Sequence, residues 1–188
     1  MTKTKFKQTE IGMTSERIER MKDDIRKCID KIYSIKGDAL LFERNERRGL
    51  CERCIVFRFA HYLQEQFSDY FVDCDYNSSI TNGEVKSGKS VKESGGRPRK
   101  RFIDIIIHKR TSDINSNFIC FEIKKWNNKT KESLEKDENN LKTLTKEYGY
   151  ALGLLIILGK SKEDTTWSIW GNRGKMLIDT ECVYGTKN

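Results

Sequence analysis

Apolar residues recur at two periods along the chain. Over residues 14–33 they fall at Ile18, Met21, Ile25, Cys28, Ile29 and Ile32, steps of three and four that predict an amphipathic helix. Its polar face mixes both charge signs, which suits packing on a core better than lying on a membrane. A second helix is predicted over residues 45–67, ended by Ser68-Asp69. From there the pattern turns to that of strands, over residues 70–76, 102–108, 117–126, 151–158, 165–170 and 176–183. Trp167 and Trp170 fall on opposite faces of one of these runs, so at least one belongs to the core. A helix over residues 131–148 interrupts the series. Helices, strands, one helix and more strands predict an α/β domain, a mixed β-sheet core flanked by helices with an added N-terminal helix.

Residues 78–101 fit neither period. Ser, Gly and Lys dominate them, and the one proline, Pro98, lies there. Lys86, Lys89, Lys92, Arg97, Arg99, Lys100 and Arg101 outnumber Glu84 and Glu93. This reads as a long flexible basic loop, either a solvated excursion or an arm that grips phosphates. The expected division is an N-terminal basic segment and helix over residues 1–44, then a core over residues 45–188.

Charge sharpens the picture. Across 188 residues, 36 Lys and Arg oppose 28 Asp and Glu, a net charge of +8 that favours an anionic partner, nucleic acid before a membrane surface. The longest apolar run, residues 151–158, is far short of the ~20 residues of a membrane span, and the polar N-terminus lacks a signal core. The expected location is cytoplasmic, where the six cysteines are thiols. Cys51 and Cys54 form a CxxC without the second pair usual for zinc, so no zinc is expected. His61 and His108 are the only histidines, too few for chemistry that needs several.

The candidate chemistry lies in carboxylates that interrupt strands. Asp104 sits among Phe102, Ile103, Ile105, Ile106 and Ile107, and Glu122 among Ile119, Cys120, Phe121 and Ile123. A charge in such a run costs several kcal/mol unless it is paired. A hairpin centred on Asp113 sets Asp104 opposite Glu122, with Cβ atoms about 5 Å apart and Lys124 one diagonal step away. Two carboxylates that close need a proton or a cation between them. Magnesium takes oxygen ligands and keeps its waters, and manganese accepts the same set. The structural alternative is a buried Asp–Lys–Glu ion cluster without chemistry. Glu52 joins the apolar face of Ile55, Val56, Phe59 and Leu63, as a snorkelling end residue or as another ligand of the metal, whereas Glu46 precedes that pattern. Asp137 shares a helix face with Leu134, Leu141, Leu144 and Tyr148; it either touches the site or pairs with a nearby lysine.

Asp104 with Glu122-Ile123-Lys124 resembles the motif of the PD-(D/E)XK nuclease superfamily, the restriction-endonuclease-like fold. The stretches Asn45-Glu46-Arg47, Ala60-His61-Tyr62-Leu63-Gln64 and Val72-Asp73-Cys74-Asp75-Tyr76-Asn77 resemble its small bacterial and mobile-element members, over residues 45–158 in all. The proline that precedes the aspartate in that motif is replaced here by Ile103. The resemblance implies a four- or five-stranded mixed sheet and magnesium-dependent hydrolysis of phosphodiester bonds. It implies that Asp104 and Glu122 hold the metal, that Lys124 acts on the attacking water, and that Glu52 is the acid of the first core helix. DNA would be held by the basic loop and by Lys125 and its neighbour Lys129, with Trp126 beside them. RNA fits the same charge. Two other readings stay open: an inactive relative that only binds nucleic acid, and a subunit whose basic surface meets an acidic protein. A homodimer or a larger complex is compatible with each.

Overall fold

The computed structural model describes residues 13–34, 51–76, 78–81, 84–87, 90–91, 99–100, 102–111, 113 and 116–185. Helix α1, Ser15–Ser34, carries the predicted stripe, and Ile25, Cys28, Ile29 and Ile32 are fully buried. Helix α2, Glu52–Gln66, buries Ile55, Val56, Phe59 and Leu63 beside it. Glu46 lies outside the described residues. Strand β1, Phe71–Tyr76, follows the break at residues 68–69.

The basic segment differs from the expected loop. Strand β2, Ser78–Thr81, pairs antiparallel with β3, Glu84–Ser87, and β4, Ser90–Val91, pairs with β5, Arg99–Lys100. Ile80 stands across from Val85, and the residues between Thr81 and Glu84 are Asn82-Gly83, a dipeptide suited to a two-residue hairpin turn.

Strands β6, Ile103–His108, β7, Asn117–Lys125, β8, Leu152–Leu158, β9, Thr166–Gly171, and β10, Met176–Cys182, complete the main sheet with β1. Its order is β1-β6-β7-β8-β9-β10. Only β7 and β8 run parallel among these neighbours, and helix α3, Lys131–Glu147, forms the crossover between them. The sheet is therefore mixed, as expected, but mostly antiparallel and six-stranded.

Two apolar clusters cover the two faces. On one, α1 and α2 pack against Ile105, Ile107, Phe121, Ile123, Leu154, Ile156, Trp167 and Ile169. On the other, Leu141 and Leu144 of α3 pack against Ile106, Cys120, Leu155 and Trp170. Trp167 and Trp170 thus take opposite faces, and both are fully buried. Helix α1, set apart from the core in the expected division, belongs to the first cluster. Among the described residues no helix is long and apolar enough to cross a membrane.

Gly153 sets how closely α3 approaches the sheet. A Cβ there would lie 3.2 Å from both Leu141 Cβ and Thr145 Cγ2. Val suits a strand better than Gly, yet its branches have no room under α3. Gly153→Val is expected to destabilise the fold by about 1–3 kcal/mol in urea unfolding, despite the gain in strand propensity. An unchanged unfolding midpoint would show that α3 rides loosely on the sheet.

Candidate active site

Period-two alternation puts Asp104 on the same face of β6 as Ile106, and Glu122 and Lys124 on the same face of β7 as Cys120. This is the face that α3 covers. The ladder between the strands pairs Ile105 with Phe121, Ile106 with Cys120 and Ile107 with Ile119. That is the register expected from a hairpin centred on Asp113, and a one-residue shift enters only at His108, which pairs with Asn117. Continued past Ile105, it brings Asp104 across from Glu122. There the side chain takes over from the ladder: Asp104 Oδ2 accepts the Ile123 N–H at 2.7 Å.

Each acid has its own support. Glu122 is 4% exposed, and its Oε1 accepts the Asn140 amide at 3.1 Å. Lys124 Nζ lies 3.2 Å from Asp137 Oδ2 and 3.4 Å from Glu52 Oε1. Glu52, the first residue of α2, also accepts from the Lys125 N–H at 3.3 Å and from Asn128 Nδ2 at 3.0 Å. Two carboxylates, Asp137 and Glu52, thus share the ammonium of Lys124. Asp137 combines the two roles open to it in the sequence: it pairs with a lysine, and that lysine is Lys124.

The electrostatics record the crowding. Burial pushes Asp104 up to about 6, against the pull of the Ile123 N–H and Lys124, and Glu52 and Asp137 add to the rise. Burial, then the charges of Asp104 and Asp137, lift Glu122 well above the carboxylate range. Asp137 is raised by burial in spite of Lys124. Burial alone would lower Lys124, but Asp137 and Glu52 outweigh it and hold the ammonium above its ordinary value.

The donor set fits a hard divalent cation. Asn140 Oδ1 is a buried oxygen that accepts no hydrogen bond, beside a carboxylate pair with raised proton affinity. Among the described residues no three His, Cys, Asp or Glu side chains form a ready metal-binding group. Magnesium asks for less: one or two protein carboxylates, with water and phosphate completing its shell.

Beside the acids opens a cleft of about 450 Å³, lined among others by Glu52, Arg53, Phe57, Asp75, Phe102 and Asp104. Phe57 is 70% exposed and Phe102 63%. Phe57 was not marked by the sequence pattern, because an exposed aromatic follows no period, and Phe102, expected in an apolar strand, stands exposed just before β6. Asn140 was missed too, although it sits three residues beyond Asp137 and next to Leu141, on the stripe that meets the sheet.

The expected nucleic-acid contacts fare unevenly. Lys86 lies on β3 and Arg99 and Lys100 on β5, whereas Lys89, Lys92, Arg97 and Arg101 fall outside the described residues. Lys125 is 7% exposed, with Nζ 5.2 Å from the centre of the Trp126 ring. Consecutive strand residues face opposite sides, so Lys125 points away from Lys124 and buries its stem. His108 pairs with Asp73 at 2.7 Å near the far end of β6, away from the acids. Comparison with protein-family models, curated proteins and solved structures gives no match.

The raised Asp104 has a measurable consequence. A carboxyl whose folded pKa exceeds its unfolded value stabilises the fold while it stays protonated, and that contribution is lost as pH rises through the folded pKa. In chelating buffer the protein is expected to lose up to about 3 kcal/mol between pH 4 and 6 from this group. Asp104→Asn should flatten that slope in urea titrations. An equally steep slope in the variant would place the proton elsewhere.

Proposed function

We propose that the protein is a metal-dependent nuclease that hydrolyses phosphodiester bonds in DNA. The observation that carries this reading is the meeting of Asp104, Glu122 and Lys124 where β6 and β7 part, with both acids driven toward protonation by burial and Glu122 further by the charge of Asp104. The net charge of +8 and the resemblance of Asp104 with Glu122-Ile123-Lys124 to PD-(D/E)XK nucleases support it. The mixed sheet with helices on both faces is compatible with the restriction-endonuclease-like fold that the resemblance implies.

Asp104 and Glu122 would hold magnesium, with manganese as a substitute. When bound, the ion would supply Lewis-acid stabilisation of the charge that develops on the scissile phosphate. Asn140 fixes the rotamer of Glu122 through Oε1, and the Ile123 N–H does the same for Asp104. Asp137 and Glu52 keep Lys124 charged and aimed between them. An ammonium in that state donates hydrogen bonds and takes no proton. Lys124 therefore orients the attacking water and offsets negative charge on the phosphate, rather than serving as the base. Phe57 and Phe102 offer exposed rings beside Asp104 on which bases flanking the phosphate can stack.

The second reading, an inactive relative that binds nucleic acid, draws on the ion pairs that engage Lys124 on two sides. One experiment separates the two. Supercoiled plasmid and labelled single-stranded DNA are incubated with the protein in magnesium, manganese or EDTA. Cleavage is expected with either metal and not with EDTA. Glu122→Gln and Lys124→Ala are each expected to reduce it by about two to three orders of magnitude. Folding of both variants is checked by thermal melting. Salt-sensitive binding without cleavage would decide for the inactive relative, and full activity in either folded variant would overturn the site.

A further inference from the structure

Cys51 and Cys54 take no part in the acid site, yet they flank Glu52 at the start of α2. Cys51 precedes the helix with an extended backbone (φ −64°, ψ 150°), and its carbonyl accepts the Cys54 N–H at 3.0 Å. One helical turn brings the two sulfurs to 3.3 Å. Both residues are exposed, whereas Cys28 and Cys120 are buried and Cys74 and Cys182 half-buried. A disulfide places its sulfurs ~2.05 Å apart, so about 1 Å of further approach closes this pair. We propose that Cys51 and Cys54 form a reversible dithiol–disulfide site whose co-reactant is a small-molecule disulfide such as glutathione disulfide.

The two thiols differ in a way that assigns their order. Cys51 stands before the first turn of α2, where the positive end of the helix favours a thiolate, and Cys54 lies one turn in, with its sulfur within reach of Cys51 Sγ. Burial instead pushes Cys28 up to about 12 and Cys74 up to about 11, which keeps both protonated. The Cys51 thiolate attacks one sulfur of glutathione disulfide; that S–S bond breaks, and one glutathione leaves as thiolate and takes up a proton. Cys54 then gives up its proton, and its sulfur attacks Cys51 Sγ and expels the second glutathione. Two cysteine thiols are oxidised, and one glutathione disulfide is reduced to two glutathiones.

The test uses the reduced full-length chain and needs no nuclease assay. The protein is incubated with glutathione disulfide, quenched with an alkylating agent, digested and mapped by mass spectrometry. Of the six cysteines, two are expected to escape alkylation, joined to each other as Cys51–Cys54, and reduced glutathione should restore them. Cys51→Ser should leave Cys54 forming only a mixed disulfide, about tenfold more slowly. Thermal melting confirms that the variant folds. Retention of all six thiols, a stable glutathione adduct on Cys51, or a bridge between other cysteines would each overturn the proposal.

Discussion

Carboxylates buried in the sheet and under α3 constrain everything around them. Two like charges about 4 Å apart repel by about 4 kcal/mol at the effective dielectric of a partly buried site, against a net fold stability of about 5–15 kcal/mol. Asp104, Glu122 and Asp137 therefore persist only because each neighbouring element answers one of them. Strand β7 gives Asp104 a backbone N–H, α3 gives Glu122 an amide, and Lys124 stands between Asp137 and Glu52. Loss of any one of these supports would leave a buried acid exposed to its neighbours' charge. The same ties connect β6, β7, α2 and α3, so the acids act as a joint between both helical layers.

That joint depends on the one parallel pairing in the main sheet. Since β7 and β8 run the same way, the chain must cross over between them, and α3 is the crossover. The crossover lays Asp137 and Asn140 over Glu122 and Lys124, and Gly153 lets the helix come close enough for their short side chains to reach. On the other face α2 begins beside the carboxyl end of β7, where its first residue takes the Lys125 N–H. Acids from two helices and two strands thus converge at the end of the strand pair, where open α/β sheets commonly place their ligands.

Much of this was legible in the sequence, because burial constrains charge so strongly. Asp104, Glu122 and Glu52 are legible as acids on apolar faces, and the hairpin register followed from the position of Asp113 alone. Asn140 obeys the same logic but carries no charge, so its place on the stripe beside Leu141 drew no notice. Lys124 and Lys125 are adjacent in the sequence, but the strand sends them to opposite faces, and the burial of Lys125 has no signal in a run of two lysines. The hairpins within residues 78–101 were hidden by composition: seven basic residues outweighed the short Ile80 and Val85 pairing and the Asn82-Gly83 signal between them.

The charge of the site runs against the charge of the chain. The protein carries +8 overall, yet Asp137 and Glu52 flank Lys124 at the joint, and Asp104 and Glu122 lie on the strands that meet there. Such a cluster repels a phosphate at close range while the chain as a whole attracts one, and the long-range attraction is screened within about 8 Å at physiological salt. On the proposed reading, then, steering and chemistry have to be separate. The basic chain would bring the backbone near, and a divalent cation held by Asp104 and Glu122 would make the last few ångströms favourable. Lys124 cannot do this alone, because Asp137 and Glu52 already use its charge. The cation would thus serve binding at the site before it serves hydrolysis, and the grip of the basic strands on nucleic acid would need no cation at all.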